Sequence, residues 1–219
     1  PYPPLPKLNH LTHPVHNPAG LCSIQRAPCG NLPKRSVTHS LPTAPRSTQI
    51  LFGPTFQWQL ILSDIEKTAR SFGRSVNLAR SAGFDAVEVH AGHGYLISQF
   101  LSPYTNKRKD DFGGSLENRV RFLRMVMQEV KKAAKNELAV LVKMNMRDGF
   151  RGGMEIEESL KVAKMLESWG ADALVLSGGF ISRAPMFILR GSMPIQVMSK
   201  FMTNPMMKIF VRIFGSKLI

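Results

Sequence analysis

A chain of 219 residues can form one domain with a sizeable core or two small ones, and no apolar run reaches the ~18 residues of a membrane-spanning helix. The formal charge of +14 suggests nucleic acid, but it sits at the ends: residues 1–60 carry five Lys/Arg and residues 180–219 six, neither with an acid. Residues 61–179 hold 18 basic against 15 acidic residues and are charged like an ordinary enzyme, so no nucleic-acid partner and no integral membrane segment are expected.

Residues 1–60 contain 11 of the 15 prolines and four of the six histidines, with no helical or strand period. That composition predicts a disordered, Pro-rich segment separate from a domain at 61–219. Its lack of acids gives it something of an organelle transit peptide, without the Arg-bearing amphipathic helix; the expected location is cytoplasmic. Cys22 and Cys29, with six residues between them, match no zinc or redox motif and imply no disulfide framework.

Order begins at Ser63, where Ser63-Asp64-Ile65-Glu66 reads as a capping box. Ile65, Ala69, Phe72, Val76 and Ala79 then form a helical stripe that runs to Gly83. A strand is predicted at 86–90, followed by a polar connection with His90, His93 and Tyr95. A second helix starts near Ser115 or Leu116, with Leu116, Val120, Leu123, Val126 or Met127, and Val130 on its buried face. Ala139–Met144 reads as a strand covered on both faces, and a glycine-rich loop follows at Asp148–Gly153. A third helix spans about Glu155–Trp169, with Ile156, Leu160, Ala163 and Leu166 on one side, and a third strand is Ala173–Leu176. Met206–Ile219 reads as a basic amphipathic helix, fitted to a membrane surface or to a partner that covers it.

The alternation α-β-α-β-α-β predicts an α/β fold with a parallel sheet and right-handed crossovers. No GxGxxG follows a strand, so a (β/α) barrel fits better than a dinucleotide-binding fold. Ligands of such sheets bind at the carboxyl ends of the strands. His90, His93 and Tyr95 lie there and are the first candidates for a site. Each has an ordinary reading as well. The two histidines could share a zinc ion or be hydrogen-bonded core residues, although no Cys, third His or placed carboxylate joins them. Tyr95 could pack as the first residue of a short helix at 95–101. Lys143, inside an apolar strand, needs a partner for its ammonium. Gly113-Gly114, Asn118 and Arg119 read as structural, turning the chain and tying the loop to its helix.

The stretch GFDAVEVHAGHGYLISQFLSPYTNKRKDDFGGSLENRVRF resembles the signature of the Old Yellow Enzyme family of NADH:flavin oxidoreductases. VLVKMNMRDGFRGG and GADALVLSGGF continue the likeness in order, over roughly residues 63–200. The resemblance implies a (β/α)₈ TIM barrel with FMN at the strand ends and NADH or NADPH as reductant. It implies hydride transfer to an electron-poor acceptor, an activated C=C of an α,β-unsaturated carbonyl in the ene-reductase type. Carried over by position, His90 and His93 would hydrogen-bond the acceptor's carbonyl oxygen, and Tyr95 would protonate the adjacent carbon. Lys143 would stand at the flavin's N1–C2 edge, where many members have arginine, with the same charge but without the planar fork. No metal ligand is implied.

Only about three βα units are legible, which the resemblance makes the fourth to sixth of eight. An incomplete barrel leaves sheet edges unpaired, so weak or absent FMN binding and self-association through those edges are expected. The alternative to an enzyme is a non-catalytic fragment or pseudogene product whose exposed sheet and basic tail act as a binding segment.

Overall fold

The computed structural model describes residues 5–17, 19–30, 42–46, 48–49, 56–184, 195–200 and 205–214. Its centre is a four-stranded, all-parallel sheet in the order β1 (Ser23–Arg26), β5 (Ala86–Ala91), β6 (Ala139–Asn145), β7 (Ala173–Ser177). Two short strands, β2 (Thr43–Ala44) and β3 (Thr48–Gln49), flank β4 (Phe56–Gln59) in a separate small sheet.

The crossovers follow from the apolar stripes. Helix α2 (Leu62–Ser81) buries Ile65, Ala69, Phe72, Val76 and Ala79, as its spacing requires, and Gly83 turns the chain at φ +77°. The connection after β5 holds the short helices α3 (Leu96–Leu101) and α4 (Leu116–Arg119). Ser115 caps α4 by accepting from the Asn118 N–H at 3.3 Å. Helix α5 (Arg121–Ala134) packs against α2 and buries Leu123, Val126, Met127 and Val130. Asn118 Nδ2 donates to the Gly113 carbonyl and Arg119 Nε to that of Gly114, which ties the loop to α4.

One face of the sheet meets these helices. Val87, Val89 and Ala91 of β5, with Val140, Val142 and Met144 of β6, are at most 1% exposed. The alternate residues, Glu88 and His90 on β5 and Lys143 and Asn145 on β6, share the opposite face. That face carries the candidate site.

The structure corrects the sequence reading in four places. Residues 1–60, expected to be irregular, contain a helix, α1 (Leu5–His16), and supply β1 to the main sheet. Helix α1 tolerates Pro6 in its first turn, where an N–H has no intrahelical partner, and docks through Leu8 and Thr12, whose hydroxyl donates to the Ala82 carbonyl at 2.8 Å. Strand β1 has one apolar residue, Ile24, and among the described residues pairs only with β5. The main parallel sheet therefore has four described strands rather than three.

At the start of α2 it is Asp64, not Glu66, that reaches back, accepting from the Ile61 N–H at 3.4 Å and moving the boundary ahead of Ser63. In α6 (Ile156–Ser168) the buried face is Ser159, Val162 and Leu166, while Leu160 is 56% exposed. Ser159 faces inward because its hydroxyl donates to the Met146 carbonyl at 2.8 Å. Near the C-terminus, helices α7 (Ile195–Lys200) and α8 (Pro205–Phe214) are described; Met206, Ile209 and Ile213 of α8 are exposed, and residues 215–219 of the expected helix lie outside the described residues.

Candidate active site

Strand β5 ends in a glycine-flanked turn that brings the three expected residues together. His90 is the penultimate residue of β5, opposite Lys143 in register, and is 3% exposed. His93 follows in a left-handed conformation, φ +58°, an uncommon state for a residue with a side chain. Gly94 continues it at φ +81°, and a Cβ there would come within 2.5 Å of the Phe180 ring. Tyr95 is the N-cap of α3, just outside the helix rather than its first turn. The His90 ring centroid lies 5.0 Å from that of His93, edge-on, and 4.8 Å from that of Tyr95.

Polar partners fix this cluster unequally. His93 Nε2 lies 2.6 Å from the Ser177 hydroxyl, and the His93 N–H donates to Asn145 Oδ1 at 3.0 Å. Asn145, fully buried, also donates from Nδ2 to Asp148 Oδ1 at 3.0 Å and to the Gly179 carbonyl at 2.9 Å, so one amide holds the ends of β5, β6 and β7. The close approach needs Gly92, since a Cβ there would sit 2.8 Å from Asn145 Oδ1. In contrast, the buried Nδ1 of His90 has no hydrogen-bond partner among the described residues. An unpaired buried donor or acceptor is costly, and such an atom at a strand end is suited to a ligand.

Charge follows burial. Desolvation, aided by His93 and the Lys143 ammonium, pulls the His90 imidazole down to about 4. Burial first and Lys143 second lower His93. Both rings are therefore held toward the neutral form. Burial pushes the Asp148 carboxyl up, against the Met154 N–H and the Asn145 amide that favour its anion. Lys143 has the partner its position demanded: its Nζ is 3.3 Å from Glu88 Oε1, which also accepts from Gln25 Nε2 on β1.

Four contributors escaped the sequence reading: Glu88, Asn145, Asp148 and Ser177. A two-residue strand period would have found two of them, since Glu88 precedes His90 and Asn145 follows Lys143 on the same face. Ser177 stands opposite Asn145 in the β6–β7 register, which no local pattern specifies. Among the described residues no group of three or more His, Cys, Asp and Glu gathers around a common point.

Comparison with known proteins finds relatives along most of the chain. The chain is 37% identical over 199 residues to a 4,4'-dithiodibutanoate disulfide reductase of Rhodococcus erythropolis, covering 87% of this chain and 48% of that protein. It is 32% identical over 182 residues to an NADPH dehydrogenase of Listeria welshimeri, covering 83% and 52%. The structure superposes on an Old Yellow Enzyme homologue from Zymomonas mobilis with a TM-score of 0.72 and 28% identity, over 81% of this chain and 53% of that one. The chain thus spans about half the length of these relatives, and its parallel sheet is part of the TIM-barrel fold of the Old Yellow Enzymes. The model of the NADH:flavin oxidoreductase / NADH oxidase family matches residues 4–208, including most of the N-terminal segment that the sequence reading set apart. The chain belongs to the NADH:flavin oxidoreductase / NADH oxidase family.

Proposed function

We propose that His90, His93 and Tyr95 form the acceptor side of a flavin-dependent reductase that uses NADH or NADPH to reduce the activated C=C of an α,β-unsaturated carbonyl. The observation that carries this reading is the buried, unpartnered Nδ1 of His90 beside His93 and Tyr95 at the end of β5.

The residues present fit FMN on one side. Lys143 puts a cation on the site face of β6, suited to an isoalloxazine's N1–C2 edge, with Glu88 holding its ammonium in place. Bound FMN would supply the hydride. The chain's own groups do the rest. Hydride addition to an enone builds negative charge on the carbonyl oxygen, and imidazole N–H groups aimed at it lower the barrier as an oxyanion hole does. A Ser177 hydroxyl donating to His93 Nε2 leaves the ring proton on Nδ1, free to donate. Neutral imidazoles donate hydrogen bonds without surrendering protons readily, so the α-carbon's proton comes from the better acid, the Tyr95 phenol.

The test is NADPH and NADH oxidation by the purified chain with added FMN and cyclohex-2-enone, with a flavin absorbance scan. Tyr95→Phe is expected to lower turnover about a hundredfold while leaving acceptor binding intact. Unchanged turnover in that variant would remove Tyr95 from the reaction.

A disulfide acceptor is the second reading, favoured by the name of the Rhodococcus relative. Oxidation of reductant with 4,4'-dithiodibutanoate but not with the enone would establish it. The non-catalytic alternative, a binding segment with an exposed sheet and a basic tail, gains support from the 59% exposure of Leu176 on β7. It predicts no turnover with either acceptor.

A further inference from the structure

Around the site, three successive loops each contribute one aromatic ring to a continuous row. Tyr104 comes from the connection after β5, Phe150 from the loop after β6 and Phe180 from the loop after β7. Tyr104 and Phe150 meet edge to face, with centroids 5.1 Å apart at 82°. Phe150 and Phe180 repeat the arrangement at 5.4 Å and 90°. Each contact is of the favoured T-shaped kind. The row is a packed wall whose accessible part is the half-buried Tyr104 and Phe150, with Phe180 buried behind them at 2% exposure.

Its inner end is anchored at the candidate site. Phe180 pairs with His93 through an isolated bridge, the Ile181 N–H donates to the His93 carbonyl at 3.0 Å, and the ring lies against Gly94. Its outer end carries a cation: the Arg183 guanidinium lies 4.5 Å from the Tyr104 ring centroid. An arginine stacked on an aromatic face keeps the N–H donors of its edge available while its plane is held still. Arg183 is exposed and has no carboxylate partner among the described residues.

The neighbouring charges do not compete. Lys107 also approaches Tyr104, at 5.9 Å, but its ammonium donates to the Pro103 carbonyl at 2.6 Å. Asp110 is taken by Arg108, and Asp148 is buried and hydrogen-bonded to Asn145 and Met154. The exposed charges of these loops are Lys107, Lys109, Arg147, Arg151 and Arg183 against Asp110, Asp111 and Glu155, with Asp110 paired to Arg108. The mouth is therefore cationic, with one guanidinium pre-positioned at the end of an apolar wall.

We infer that the acceptor is a planar or aromatic molecule bearing an anionic group, a carboxylate above all, with its apolar body along the half-buried Tyr104 and Phe150 and its charge on Arg183. This rests on the acceptor-side reading of His90, His93 and Tyr95 and adds the class of molecule they receive. Two features of the wall are independent of that reading: the rings come from separate loops, and the nearer stacked cation, Arg183, lies at the end away from His93.

The experiment compares a matched pair of probes, benzylideneacetone and its 4-carboxy derivative, titrated against the purified chain by saturation-transfer NMR at low and at 0.5 M salt. An exposed ion pair predicts that the carboxylated enone binds about threefold more tightly at low salt and loses that margin at high salt. Arg183→Gln is expected to equalise the two probes by weakening only the carboxylated one, whereas Lys107→Gln preserves the margin. Equal affinities in the unmodified chain, or a margin that survives Arg183→Gln, overturn this inference and leave the site reading standing. Binding of neither probe overturns both.

Discussion

Strands β5 and β7 are comparably apolar in sequence and end in different surroundings. In β5 (AVEVHA) the helix-facing residues Val87, Val89 and Ala91 are 1% exposed; in β7 (ALVLS) Leu176, level with Ala91 through Met144, is 59% exposed, while Leu174 is half-buried. The difference is not in the residues. Strand β5 has β1 and β6 beside it and α2 and α5 behind, while β7 pairs only with β6 among the described residues. Apolarity prepares a strand for burial, and neighbours supply it.

The sharpest way to break that comparison is a matched charge insertion. Val142→Asp, on β6 with no exposed surface, buries an unpaired carboxylate and is expected to unfold the domain at a cost above about 4 kcal/mol. Leu176→Asp is expected to cost less than about 1 kcal/mol. Urea unfolding followed by circular dichroism reads both, and equal effects would mean that β7 is covered in solution.

Asn145→Ala tests whether the strand ends are held by one amide. It leaves the His93 N–H, Asp148 Oδ1 and the Gly179 carbonyl without their partner, an expected loss of about 2–3 kcal/mol. Amide exchange should accelerate at His93 and Gly179 before the helices are affected. A loss spread evenly over the domain would contradict a local role.

The smallest expected effect concerns pH. His90 has a folded value of about 4, below the ordinary 6.5, so between these values the unfolded chain takes up a proton that the native site does not. Stability is therefore full above about pH 6.5 and declines as pH falls toward 4, by about 1 kcal/mol at pH 5 once solvent screening is allowed for. His90→Asn should flatten the stability profile over that window. Titration of the His90 ring by NMR near 6.5 would exclude the buried, neutral imidazole.

Much of this was legible. The stripe of α2 has a clear helical period, the apolar run AVLVKM has the length of a buried strand, and His90, His93 and Tyr95 lie within six residues at a strand end. What escaped shares a cause: it depends on partners distant in the chain. Helix α1 shows no stripe beyond Leu8 and Thr12, and Thr12 is buried because the Ala82 carbonyl, 70 residues on, accepts its hydroxyl. Leu160 looked like a core residue until Ser159 found the Met146 carbonyl.

The sequence alone determined the type and order of the central elements, the family, and the presence of three polar residues at a strand end, because period, capping and turn chemistry act over a few residues. Tertiary structure decided the rest. Parallel register set Asn145 against Ser177 and Lys143 beside Glu88, burial neutralised His90, and three separate loops aligned Tyr104, Phe150 and Phe180. Those outcomes are set by contacts across 30 to 90 residues of chain, which no local pattern can express.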